Sequence, residues 1–158
     1  HTTHQAAQAL QGALQALRGD LKIWHSPLQR CKQLALQLQS LEPDFVSKPD
    51  NRLAEMDFGH WEGQRWDEIG EAAIHAWSQN LAEHAPGDGE SLAQMLQRVS
   101  LALRDVKDSP CQNIVWISHA GVARCAQWLV QHGPQVPQSQ EWTLPAPSYG
   151  QWMKITLS

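Results

Sequence analysis

The sequence predicts an α/β fold in three layers, α/β/α, with a mostly parallel central sheet and helices on both faces. Three observations predict it. Short apolar runs of strand length alternate with amphipathic helical stretches along the chain. The run Asn113-Ile114-Val115-Trp116-Ile117-Ser118 is continuously apolar, the pattern of a strand buried on both faces of a parallel sheet. Two strand candidates, ending near Trp24 and Ser118, pass at once into residues that start helices.

Residues 2–17 place Ala6, Ala9, Leu10, Ala13, Leu14 and Leu17 at three- and four-residue spacing, with glutamines on the other face, so a helix is expected, capped by Thr2 or Thr3. Gly19-Asp20 ends it, and residues 21–24 follow as a strand. Ser26 and Pro27 suit the N-cap and first helical position of a helix over 27–41. Residues 45–63 read as an extended segment leading into a glycine-bounded loop, and 66–81 as a helix. Ala85-Pro86-Gly87-Asp88-Gly89 must be a loop. Residues 91–106 form an amphipathic helix through Leu92, Met95, Leu96, Val99, Leu103 and Val106. After the strand at 113–118 come a helix over 122–132 closed by Gly133, a proline-rich connection over 134–147, and a last strand over 151–157. There is no internal repeat, linker or second domain, so one core is expected from the 158 residues.

Composition narrows the function. Hydrophobic residues at 42% exclude most disordered compositions, and 12 Lys plus Arg against 16 Asp plus Glu argue against an electrostatic nucleic-acid partner. The tryptophans form no basic-aromatic stripe, which removes a stacking platform for single strands. No apolar run approaches membrane-spanning length and no signal-peptide pattern opens the chain, so it reads as cytoplasmic, with no membrane partner. Cys31, Cys111 and Cys125 are too widely spaced for a C-x-x-C and read as buried thiols, with neither a disulfide framework nor a metal implied. No nucleotide-binding loop, dinucleotide fingerprint, zincin motif or serine-esterase elbow occurs, and GDGES lacks the ligand spacing of a calcium loop.

In open parallel sheets, ligands bind beyond the carboxyl ends of the strands, where helix N-termini offer unpaired N–H groups. Arg30 falls in the opening turn after the first junction. His119 stands at the tip of the second, with Ala120 and Gly121 keeping backbone N–H groups accessible. Together they make an anion site suited to phosphate. Each alone has a plainer reading, a solvated arginine and a turn or core histidine. Glu55 lies in RLAEMDFGHWEG; half-buried beside Phe58 or Trp61 its pKa would rise, which suits a general acid, while a surface carboxylate is the plain alternative.

SPLQR at 26–30, LAEMDFGHWEG at 53–63, PGDGES at 86–91 and IVWISHAGV at 114–122 together resemble, in order and spacing, the histidine phosphatase (phosphoglycerate mutase-like) superfamily. EMDFGHWEG, the Ala76-Trp77 pair and QRV at 97–99 are most similar to its α-ribazole phosphatases of cobalamin synthesis. The resemblance implies hydrolysis of a small phosphate ester through a phosphohistidine, without metal or cofactor. Arg30 would clamp phosphate, His119 and the Ala120 N–H would stabilise the transferring group, and Glu55 would be the acid and base. It also implies an R-H-G motif on a first strand, which the sequence does not contain; 1–158 is therefore expected to be a single domain lacking that strand, with an N-terminal segment completing the sheet. His1 and His4 follow no strand and are not expected to substitute. Gln5 and Leu34 stand where the family has Gly and Thr. Phosphoglycerate mutase-type transfer, a non-catalytic phosphate-binding relative, and homodimerisation stay open. The leaving group would be read by loops over 61–77 and 134–149.

Overall fold

The computed structural model describes residues 2–148 and 150–157; His1 and position 149, the last of the loop over 134–149, lie outside them. Among the described residues the order is α1 (Thr3–Gln15), β1 (Leu21–His25), α2 (Gln29–Leu41), β2 (Ser47–Pro49), α3 (Trp66–Ile69), α4 (Glu71–Gln79), α5 (Leu92–Asp108), β3 (Asn113–Ile117) and α6 (Ala120–His132). The three strands form a parallel sheet in the order β2-β1-β3, as the fold class requires.

Strand alternation sorts the side chains into two cores. Leu21 and Ile23 of β1, with Val115 and Ile117 of β3, face Leu14 of α1 and Cys31, Ala35 and Leu38 of α2. Trp24 and Trp116 face the opposite way, against a core built by Leu92, Met95, Leu96 and Val99 of α5 and Val122, Cys125 and Trp128 of α6. Helices thus cover both faces.

Local chemistry fixes the helix starts. Thr2 caps α1 in a reciprocal box in which the Gln5 side chain accepts from the Thr2 N–H at 2.9 Å, so Gln5, a departure from the family pattern, closes the cap. Ser91 and Gln94 make the same box for α5. Leu34, the other departure, packs half-buried on the first core.

Several expectations are corrected. α2 starts at Gln29 with Leu28 as its extended N-cap; Ser26 instead takes the Leu28 N–H on its hydroxyl and turns to another partner. The helix expected over 66–81 is two pieces, α3 and α4, broken where Gly70 takes a φ of +93°. β3 is buried at Ile117 only and half-buried before it, because it is an edge strand among the described residues rather than a central one. Residues 151–157 form no strand: Ile155 and Leu157 pack against the α5–α6 core while the segment stays out of the backbone ladder. Cys31 and Cys125 are buried as expected, but Cys111 is half-buried.

The segment between β2 and α3 has little regular structure, and one cation anchors it. Arg98 of α5 donates from Nε and Nη2 to both Glu90 oxygens, at 2.7 and 2.9 Å, from Nη1 to the Arg52 carbonyl at 2.7 Å, and from Nη2 to the Glu55 carbonyl at 3.3 Å. The loop over 86–91 lies directly on it: a Cβ on Gly59 would sit 2.0 Å from the Gly87 carbonyl oxygen, so the two backbones meet only because both positions are glycine.

Two stability outcomes follow from these contacts. Leu38→Ala, at a side chain with no exposure, lowers unfolding free energy by about 3 kcal/mol in denaturant melts. Arg98→Met costs about 3 kcal/mol, because the Glu90 carboxylate is left largely buried and unpaired; a loss within experimental error would show that the pair is solvent-compensated.

Candidate functional site

Register brings the three strand ends level. His25 of β1 pairs with Pro49 of β2 on one side and Ile117 of β3 on the other. The chain therefore leaves the sheet at Ser26, Asp50 and Ser118 on one edge, and backbone bonds lock those exits, Ser26 N–H to Ile117 O at 2.8 Å and Asp50 N–H to His25 O at 2.9 Å. Loops from all three strands then converge.

From the first exit comes Arg30, exposed in the opening turn of α2. From the third come His119, the extended N-cap of α6, and Ala120, its first residue, both half-buried. From the second comes Glu55, half-buried, with Oε1 accepting from the Met56 N–H at 3.0 Å and Oε2 from the Gly121 N–H at 3.4 Å. A carboxylate thus already sits at the N-terminus of α6, where unpaired N–H groups and the helix dipole favour an anion. Gly121 makes this possible: a Cβ there would come 2.2 Å from Glu55 Oε1. Phe58 and Trp61 pack edge to face on Trp77, with ring centroids at 5.9 and 5.8 Å, while the carboxylate turns to α6.

His119 is held from behind. Its Nε2 lies 2.9 Å from Ser26 Oγ and 3.6 Å from Cys31 Sγ, and the Cys31 thiol donates to the Ser118 carbonyl at 3.4 Å. Ser118 in turn donates to the Leu53 carbonyl at 2.6 Å, tying the third exit to the second. Burial lowers the His119 pKa below 6.5; Glu55 opposes this, while Arg30 and Arg98 add to it. Burial pushes the Cys31 thiol up to about 11, so it stays protonated near neutrality. These mutual influences place Arg30, Glu55 and His119 in one electrostatic neighbourhood.

The structure brings together all four sequence-derived candidates, Arg30, Glu55, His119 and Ala120. It adds Ser26 and Cys31 behind the histidine, and Glu90 and Arg98 beneath the Glu55 loop. Ser26 stood next to Arg30 in SPLQR but was read as a helix cap. Glu90 and Arg98 lay inside GDGES and QRV, where linear sequence gives no sign that they pair. Among the described residues no His, Cys, Asp and Glu cluster could hold a metal, and no helix is long and apolar enough to cross a membrane.

Comparisons with known proteins agree with this fold. The α-ribazole phosphatase of Shigella flexneri superposes with a TM-score of 0.72 at 25% identity, covering 93% of this chain and 72% of that one. A mycobacterial glucosyl-3-phosphoglycerate phosphatase, solved with inorganic phosphate, superposes with a TM-score of 0.71 at 25% identity, covering 91% and 70%. A curated protein of Hydrogenobacter thermophilus named "Putative phosphoserine phosphatase 2" is 32% identical over 102 residues, which is 63% of this chain. The chain spans half the length of that relative. The model of the histidine phosphatase superfamily (branch 1) matches residues 1–157, and with the level strand ends and the site they carry, this shows that the chain belongs to that superfamily.

Proposed function

We propose that the protein hydrolyses a phosphate monoester, with Arg30, His119 and the Ala120 N–H holding the phosphoryl group and Glu55 moving the proton of the leaving oxygen. One observation carries the reading. The N-terminus of α6 already binds an anionic oxygen, that of Glu55, beside an imidazole and within the field of an arginine. A phosphate in that place would meet the same N–H groups and add Arg30 as a charge-assisted donor. Glu55, held at the same helix end, is placed to pass a proton to the leaving oxygen.

The family resemblance places the transferring histidine in an R-H-G motif that these 158 residues do not contain, so this reading assigns the chain binding and acid–base groups and no nucleophile. The similar proteins are named for phosphatases of three different esters, so the shared chemistry is the phosphomonoester. We take α-ribazole 5′-phosphate as the first substrate to assay, on the strength of the EMDFGHWEG and Ala76-Trp77 likeness. Phosphoryl return to substrate, as in a mutase, is distinguished by isomerisation without phosphate release.

Orthovanadate titration tests the site directly. The protein binds the ion, and Arg30→Ala weakens binding about 30-fold; unchanged affinity refutes the pocket. Where hydrolysis of an aryl phosphate is measurable, Glu55→Gln lowers kcat about 1,000-fold with little effect on vanadate affinity. Equal losses in both would count against an acid–base role. Gly121→Ala displaces the carboxylate, presses on the buried Met95 methyl and lowers kcat about 100-fold.

The depressed His119 pKa also sets a pH dependence. The folded state holds the neutral ring, so His119 contributes fully above 6.5 and its contribution is lost as pH falls through the folded-state pKa. Denaturation of wild type and His119→Gln across that range shows the loss in wild type only; parallel curves would refute it.

A further inference from the structure

We propose that Ser26 is a positioning residue for His119, its hydroxyl donating to Nε2 and so holding the ring as the tautomer with its proton on Nδ1. This deepens the phosphate-site reading and rests on it only for the consequence for binding.

Ser26 is 0% exposed and is the first residue past β1, so its backbone is fixed by the sheet. Its hydroxyl oxygen accepts the Leu28 N–H at 3.2 Å. The hydroxyl proton, buried with it, needs an acceptor. Two stand within reach, His119 Nε2 at 2.9 Å and the sulfur of Cys31. Sulfur is the weaker acceptor. The thiol proton is committed to the Ser118 carbonyl, so Cys31 does not compete for the ring's lone pair. The satisfied arrangement is therefore Ser26 O–H to Nε2.

The ring must be neutral for Nε2 to accept. Glu55 faces it from the loop after β2 and favours the charged form, whereas Arg30 of α2, Arg98 of α5 and burial itself oppose that form. A neutral ring that accepts at Nε2 carries its proton on Nδ1. That nitrogen makes no hydrogen bond to a described residue. The unprotonated oxygens of a phosphomonoester accept and do not donate, so this tautomer presents the complementary edge. The alternative tautomer would spend the ring's only proton on the protein wall.

Long-range proton–nitrogen correlation spectra of nitrogen-15-labelled protein read the tautomer, with the His119 ring signals assigned by their loss in His119→Gln. We expect Nδ1 protonated and Nε2 bare in the wild type near neutral pH, a reversal of that ratio in Ser26→Ala, and its retention in Ser26→Thr. A wild-type ring protonated at Nε2, or an unchanged ratio in Ser26→Ala, overturns the proposal. The wild-type spectrum decides the matter even where Ser26→Ala does not fold. Orthovanadate added to the same sample separates the two readings. An Nδ1–H ring with no vanadate bound keeps the Ser26 assignment and removes the phosphate site; vanadate bound beside an Nε2–H ring does the reverse.

Discussion

The site depends on a guanidinium that never needs to touch substrate. Arg98 uses its donors on a carboxylate from the 86–91 loop and on two backbone carbonyls from the segment after β2. Burying a charge is costly unless its donors are satisfied, and here the fork of the guanidinium matches what surrounds it. The consequence is positional. Residues 50–63 contain no regular structure beyond 3-10 turns, yet Glu55 must sit within hydrogen-bond reach of α6. Arg98 ties the backbone at Glu55 to α5, and α5 packs on α6. A second, partly exposed arginine, Arg52, does the same further back through Asp50 and Asp105, holding the Asp50 carboxyl below the usual carboxylate range.

With the loop fixed, electrostatics around α6 becomes a balance of a few groups. The helix end and Arg30 favour an anion, and Glu55 supplies one. His119 is pulled toward its charged form by that carboxylate and away from it by two arginines and by burial, and burial is the largest influence. The outcome is a neutral imidazole backed by Ser26 and Cys31. Such a site keeps its fixed charge in arginines, which do not titrate near neutrality, and leaves the histidine free to act through geometry.

How much of this was legible in the sequence follows from the range of each interaction. Helix caps at Thr2 and Ser91, the glycine loop at 86–89 and the alternation of strand and helix are local, and they were readable. The likeness in SPLQR, EMDFGHWEG and SHAG also located Arg30, Glu55 and His119. What stayed hidden is long-range. Nothing in linear spacing says that Ser26 faces His119 across the sheet edge rather than capping α2, or that Glu90 and Arg98 pair beneath Glu55. Residues 151–157 alternate like a strand, yet a strand exists only where a neighbour offers a free ladder in the right register. The same limit misjudged β3, whose burial depends on how many strands lie beyond it.

The arrangement also divides the site by rigidity. Arg30, His119 and Ala120 stand two to five residues past strands whose ends are level and cross-bonded, so a shift in one exit is resisted by the sheet. Phe58, Trp61 and Trp77 stand on 3-10 turns and on a short helix that begins at Gly70, and they hold one another chiefly by edge-to-face contacts. Trp77 Nε1 is buried there with no partner among the described residues, a donor that the aromatic cluster does not use. On the reading proposed above, phosphate, common to every monoester, calls for unchanging geometry, which a level, cross-bonded sheet edge offers. Leaving groups differ in shape and polarity, and reading them calls for surfaces that sequence change can remodel without moving the phosphate groups. The aromatic cluster lies off that edge, on the turns after Glu55 and on α4, with Phe58 also packed against the α5–α6 core.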